Sequence, residues 1–258
     1  MATERIYKFS LALDEKTMPF FPETQGKSGP EFEEAIRERI YSAFEPLGGL
    51  IFAVSAEAGE LKMAWQERAG QPAVLEAIAG RLARGKSAQG LLLLELFLSD
   101  DPENAELLYA AGMAYSDQNN LERAIELLSK LVTTAPGHVN GRVARGAALL
   151  RAGRNEAGVS ELEAAVRLDP DNLWAHRTLG AGLMLLNRYS EAAANLRLTR
   201  EIDEQDQPAW FEYAQALERM DAPEQAESAY MKTIEIDEFS EMAEQARQRR
   251  AALAERKI

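Results

Sequence analysis

The chain has 258 residues, enough for a continuous core and for one large or two modest domains. Its net charge of −13 disfavours phosphate backbones and anionic lipid as general partners, so neither nucleic acid nor a membrane surface is expected. Cysteine is absent, which excludes disulfides, thiolate nucleophiles and cysteine-based zinc sites.

The N-terminal run MATERIYKFSLALDEK alternates apolar and polar residues and has no unbroken apolar stretch, so no signal peptide is read there. The longest apolar run, Leu91–Leu94, is broken by Glu95 and is far short of the roughly 20 residues of a membrane span. A cytoplasmic protein is expected.

In chain order, Tyr7, Phe9, Leu11 and Leu13 alternate with polar or small neighbours and predict a half-buried strand. The loop 14–30 carries Met18-Pro19-Phe20-Phe21-Pro22, an apolar group expected to pack back over the sheet, the alternative being an exposed contact patch. Phe32, Ile36, Ile40, Ala43 and Leu47 recur at helical spacing, and Gly48-Gly49 ends that helix. Leu50, Phe52, Val54 and Ala56 alternate again, a turn follows at 57–60, and Leu61, Met63 and Trp65 alternate beyond it, which predicts a hairpin. Residues 1–70 thus read as a small α+β (β-α-β-β) domain. So small a sheet needs cover for its edges, so it is expected to dock on the first helical repeat that follows, from about residue 71.

From about Gln71 the period changes. Pro102, Pro136 and Pro170 recur every 34 residues. At the same step fall Gly112, Gly146, Gly180 and Ala214, where paired helices must approach closely. Gly90, Ala124, Gly158, Ala192 and Ala226 form a second small-residue column. Leu94, Leu128, Leu162, Leu196 and Tyr230 follow it one helical turn later. Gly85, Asn119, Gly153, Asn187 and Asp221 occupy the turns between helices, and all are residue types that tolerate a left-handed backbone.

These columns resemble the tetratricopeptide-repeat family. Its pattern reads here as Leu108, Ala111, Gly112 and Tyr115, then Ala124 and Leu128, then Pro136. The resemblance implies a mainly α, right-handed helical solenoid over residues 71–240, with repeats at 71–104, 105–138, 139–172, 173–206 and 207–240. The first repeat departs from the pattern at Ile78 and Arg81, and the last two place Glu204 and Glu238 where proline is usual. Residues 241–258 favour helix and are polar on most faces, as a terminal cap should be; the Arg247–Arg250 cluster is read as its solvated face.

Two features invite a chemical reading. Residues 80–87, GRLARGKS, match a phosphate-binding loop letter for letter, but helical sequence precedes them and Gly85-Lys86-Ser87 falls on an interhelical turn. No alternating strand–helix pattern follows to build the parallel sheet that such a loop requires, so no nucleotide or other cofactor is expected. The only histidines, His138 and His176, lack neighbours at metal-ligand spacing, and His176 shares a packing column with Leu108, Arg142 and Trp210. No metal, catalytic centre or enzymatic activity is read.

In the family, the first helix of each repeat lines the concave surface. The matching stripe here is Glu106, Tyr109, Met113, Ser116; Asn140, Val143, Ala147, Leu150; Trp174, Arg177, Ala181, Met184; and Pro208, Phe211, Gln215, Glu218. The lysine, asparagine and arginine clamp of chaperone-binding members is missing: the corresponding positions are Tyr109, Met113, Ala144, Trp174 and Thr178, or Val143, Ala147, Thr178, Pro208 and Glu212 one repeat later. The resemblance therefore implies a protein-binding scaffold whose groove (Tyr109, Met113, Val143, Leu150, Trp174, Arg177, Met184, Phe211, Gln215) takes an apolar or amphipathic polypeptide segment. Trp174 is expected near Tyr109 and Met113. The alternative is a self-associating subunit, a homo-oligomer whose groove its own chain or a second copy fills; an enzyme in the N-terminal domain ranks third.

Overall fold

The computed structural model describes residues 6–15, 17–47, 49–57, 59–66, 74–83 and 87–255. The chain forms two compact units, residues 1–136 and 137–258.

The first unit opens with β1 (Ile6–Ala12), α1 (Gly29–Phe44), β2 (Leu50–Glu57) and β3 (Glu60–Gln66). β3 lies between the other two strands and runs antiparallel to both, giving the order β1-β3-β2. Phe9 and Leu11 on β1, with Leu61, Met63 and Trp65 on β3, are buried, as their alternation predicts. The ladder between β2 and β3 slips at Phe52, which stands between the paired residues Ile51 and Ala53. After α1 and a short 3-10 turn, Gly49 reverses the chain at φ 75°, and a Cβ there would run into the Gln66 carbonyl oxygen. The apolar group of the first loop packs inward: Phe20 and Phe21 are buried.

Two helices follow, α2 (Val74–Ala83) and α3 (Ser87–Asp100). α3 packs on β1, α1 and α2 and on the next helix, α4 (Ala105–Asp117), so it has no wet face. That explains its almost unbroken apolar run, with Leu91–Leu94, Leu96, Phe97 and Leu98 all buried. Phe97 is the dock. Its ring meets Phe9 at 5.0 Å, Tyr7 at 5.3 Å and Trp65 at 5.9 Å, edge to face in each case. The edge of β1 is also tied down, since Ser10 donates its backbone N–H to Ser99 Oγ. α5 (Leu121–Thr134) closes the unit against α4.

The phosphate-loop match is broken by its setting. Gly80 lies inside α2 and Ser87 opens α3, so a helix stands where a strand is required; residues 84–86 lie outside the described residues.

The second unit comprises α6 (Val139–Arg151), α7 (Asn155–Leu168), α8 (Leu173–Leu185), α9 (Tyr189–Ile202), α10 (Gln207–Arg219), α11 (Pro223–Ile236) and α12 (Glu241–Glu255). α6, α8 and α10 begin at 139, 173 and 207, and each has 13 residues, so the helices keep the 34-residue step of the prolines. Each pairs with the helix that follows it. The turns within hairpins are left-handed as the residue column requires: φ is 60° at Asn119, 74° at Gly153, 58° at Asn187 and 58° at Asp221.

Hairpin packing joins the two sequence columns directly. A Cβ on Gly112, Gly146 or Gly180 would stand 2.5 to 2.6 Å from Cγ of Leu128, Leu162 or Leu196, so only glycine lets those leucines fill the space. α12 packs on α10 and α11 through Ala243, Ala246 and Leu253, which are buried. Its arginines reach back to carboxylates: Arg249 to Glu218 at 3.6 Å and Arg250 to Glu227 at 3.7 Å.

Candidate peptide-binding face

α8 packs beside both α6 and α10, so these first helices stand side by side and offer one row of side chains. The stripe mapped on them covers about 80° of each helix at about 100° per residue. That width decides which members are free. At the fifth helix position Val143 and Phe211 are buried while Tyr109 and Arg177 are only partly so, and the second and ninth positions stay at least partly open.

Two expected groove residues, Val143 and Phe211, are corrected, and two others, Leu150 and Met184, are partly covered. Val143 is wholly buried among Val159, Leu162, Leu179 and Leu183. Phe211 is buried against Tyr230, with ring centroids 5.8 Å apart. Leu150 packs where a Cβ on Gly158 or Gly182 would otherwise sit, and Met184 packs on the same core. Val143 and Phe211 thus belong to the core, while Leu150 and Met184 are partly buried beside it.

Trp174 is different: 39 % of it is exposed on the first turn of α8. Arg177, one turn on, holds Asp206 at 3.2 Å, and Asp206 in turn caps α10 by accepting the Ala209 N–H. Gln215 is partly exposed on α10. In the first unit Tyr109 and Met113 are each half-buried on α4.

Sequence reasoning passed over Glu212 except as a failed clamp position. Its Oε2 is sealed from solvent with no hydrogen-bond partner among the described residues. Burial pushes its carboxyl up to about 7; Arg177 opposes the shift and Asp206 adds to it. The pairing of Arg177 with Asp206 spans 29 residues and has no local sequence signal.

The histidines are structural. His138 caps α6 through Nδ1, which accepts the Gly141 N–H at 2.9 Å. His176 is buried, with Nε2 2.8 Å from the Pro170 carbonyl oxygen; one repeat later Trp210 Nε1 donates to the Glu204 carbonyl at 3.0 Å. At these two positions the column ties the interrepeat turn, once with proline at 170 and once without it at 204. Among the described residues no cluster of potential ligands is suited to a metal, and no helix is long and apolar enough to cross a membrane.

Residues 81–146 and 207–239 match models of the tetratricopeptide repeat. Those segments are tetratricopeptide repeats. A weaker likeness links the chain to human Anaphase-promoting complex subunit 7, at 30% identity over 124 residues; the match covers 48% of this chain but only 22% of that protein. Among solved structures, MamA from Desulfovibrio magneticus RS-1 superposes with a TM-score of 0.59 at 20% identity, covering 65% of this chain and 95% of that one. YrrB, described as a TPR protein with an unusual peptide-binding site, superposes with a TM-score of 0.57 at 18% identity, covering 68% and 90%. Identities this low carry the fold of the repeats and nothing about what they hold.

Proposed function

We propose that this protein is an interaction scaffold and that the α6–α8–α10 row binds an apolar or amphipathic segment of another polypeptide. The observation that carries the reading is the exposed Trp174 at the start of α8, beside a charged group made by Arg177, Asp206 and Glu212. An indole half in water is an amphipathic contact waiting for cover, and burying it is worth about 2 kcal/mol. The Arg177–Asp206 pair supplies direction, since a segment crossing Trp174 can meet its partly exposed charges. Within the first unit, Tyr109 and Met113 are half-buried residues of the same kind on α4.

Trp174 reports on this reading directly. Trp65 is buried, and Trp210 stacks with Arg200, so Trp174 is the indole most open to a soluble quencher. Acrylamide quenching of its fluorescence should fall when a binding segment is added. Unchanged quenching in a saturated complex would place the segment elsewhere.

A further inference from the structure

The sheet of the first unit keeps one open edge. β3 is paired on both sides and β1 is tied to α3 through Ser10 and Ser99, but among the described residues no strand pairs with the outer side of β2. Past the slip at Phe52, the run 53–57 presents extended backbone donors and acceptors there. β2 reads LIFAVSAE, without the lysine or proline that commonly guards an edge.

The layer beneath that edge is unfinished too. Met63 and Leu61 on β3 are 4 % and 0 % exposed, while Val54 and Ala56, their ladder neighbours on the same face, are only half-buried. α1 covers β2 and α3 covers β1, so the flank of α1 away from α3 overhangs the open edge. Gln89 of α3 donates to Ser42 at 2.9 Å, which fixes the other flank. At about 100° per residue, Arg37 and Tyr41 stand across the buried stripe of Ile36, Ile40 and Ala43 from Ser42. Tyr41 is 51 % exposed there, and Arg37 pairs with Glu34 on its own helix.

We propose that the β2 edge is a dimer interface, at which a second copy of this chain adds its own β2 antiparallel across a two-fold axis. A lone peptide strand would satisfy the backbone but leave Tyr41 in water. A second copy also brings a second α1, and the flank of Glu34, Arg37 and Tyr41 carries both charge signs, so it can face itself. Opposite residues of an antiparallel pair share a face, so the axis passes through a residue rather than between two. At Ser55 it pairs the whole run: Val54 meets Ala56 on the core side, and Ser55 meets its own copy on the open side. The interface lies in the first unit and is independent of the reading given to α6, α8 and α10.

In sedimentation equilibrium the full chain should show twice its 28.6 kDa. Ser55→Glu tests the axis. Within one chain the new carboxylate lies beside Lys62, its ladder neighbour, which keeps the sheet; across the axis it meets its own copy. This variant should weaken the dimer by at least about tenfold with an unchanged circular dichroism spectrum. The chain has no cysteine, so Ser55→Cys should form a disulfide-linked dimer on mild oxidation, because directly opposed residues bring their Cα atoms within reach of that bond. Ser160→Cys, exposed on α7, should stay unlinked in the same non-reducing gel. A natural chain that is monomeric at every concentration would overturn the assignment. So would a dimer that Ser55→Glu leaves intact and Ser55→Cys fails to link, which would put self-association on another surface.

Discussion

A Cβ built on Gly146 would stand 2.6 Å from Cγ of Leu162 and 3.1 Å from the Gly158 carbonyl oxygen. Two sequence columns that seem independent, one of glycine and one of leucine, are therefore the two halves of a single contact. Gly146→Leu should destabilise the protein by about 1–3 kcal/mol or more, because the backbone oxygen cannot yield as a side chain can. Ser160→Ala, on the exposed side of α7, should stay within about 0.5 kcal/mol. Urea melts monitored by circular dichroism check both; equal, small effects would displace the register.

Glu95, which accepts hydrogen bonds from Tyr115 and Arg123, gives a sharper test of energetics. Arg123→Ala strands a buried carboxylate and should cost about 2–3 kcal/mol in the same melts. Replacing both partners, as Glu95→Leu with Arg123→Met, should recover most of that loss, since no uncompensated charge remains. A double variant as unstable as the single one would mean that the pair itself, rather than its desolvation, sets the cost.

Glu212 should make stability depend on pH. Its carboxyl is raised to about 7, above the ordinary value of 4.5, so the folded chain holds a proton that the unfolded chain has released between those values. The carboxylate thus destabilises the fold fully above about pH 7, and the penalty fades as pH falls toward 4.5. Glu212→Gln should be more stable than the natural protein at pH 8 by about 1–3 kcal/mol, and the gap should close by pH 5. A gap independent of pH would show that the residue titrates normally.

How much of this was legible beforehand depends on whether a constraint is local. Asn119, Gly153, Asn187 and Asp221 were readable as left-handed positions because a turn imposes its demand on the residue that occupies it. The docking of the small sheet on the first repeat was anticipated from its need for cover; that Phe97 meets Phe9, Tyr7 and Trp65 depends on contacts across the sheet and the helix. The binding face was read too widely. Val143 and Phe211 share a helical face with Trp174 by spacing, yet a few tens of degrees separate a wet position from a core one, and apolar identity is the same in both. Glu95, Tyr115 and Arg123 were invisible as a group because their partnership spans two hairpins. Leu91–Glu95 showed only an apolar run with an unexplained charge in it.

The measurement that bears most directly on the central claim is the affinity of a captured partner for Trp174→Ala, titrated beside the natural protein. Loss of a buried indole anchor should weaken binding by about 2 kcal/mol, or roughly thirtyfold, with the thermal unfolding midpoint preserved and little change between low and moderate salt. Undiminished binding by Trp174→Ala, or its unfolding, would contradict the account: the first would move the partner to another surface, and the second would make the indole part of the core.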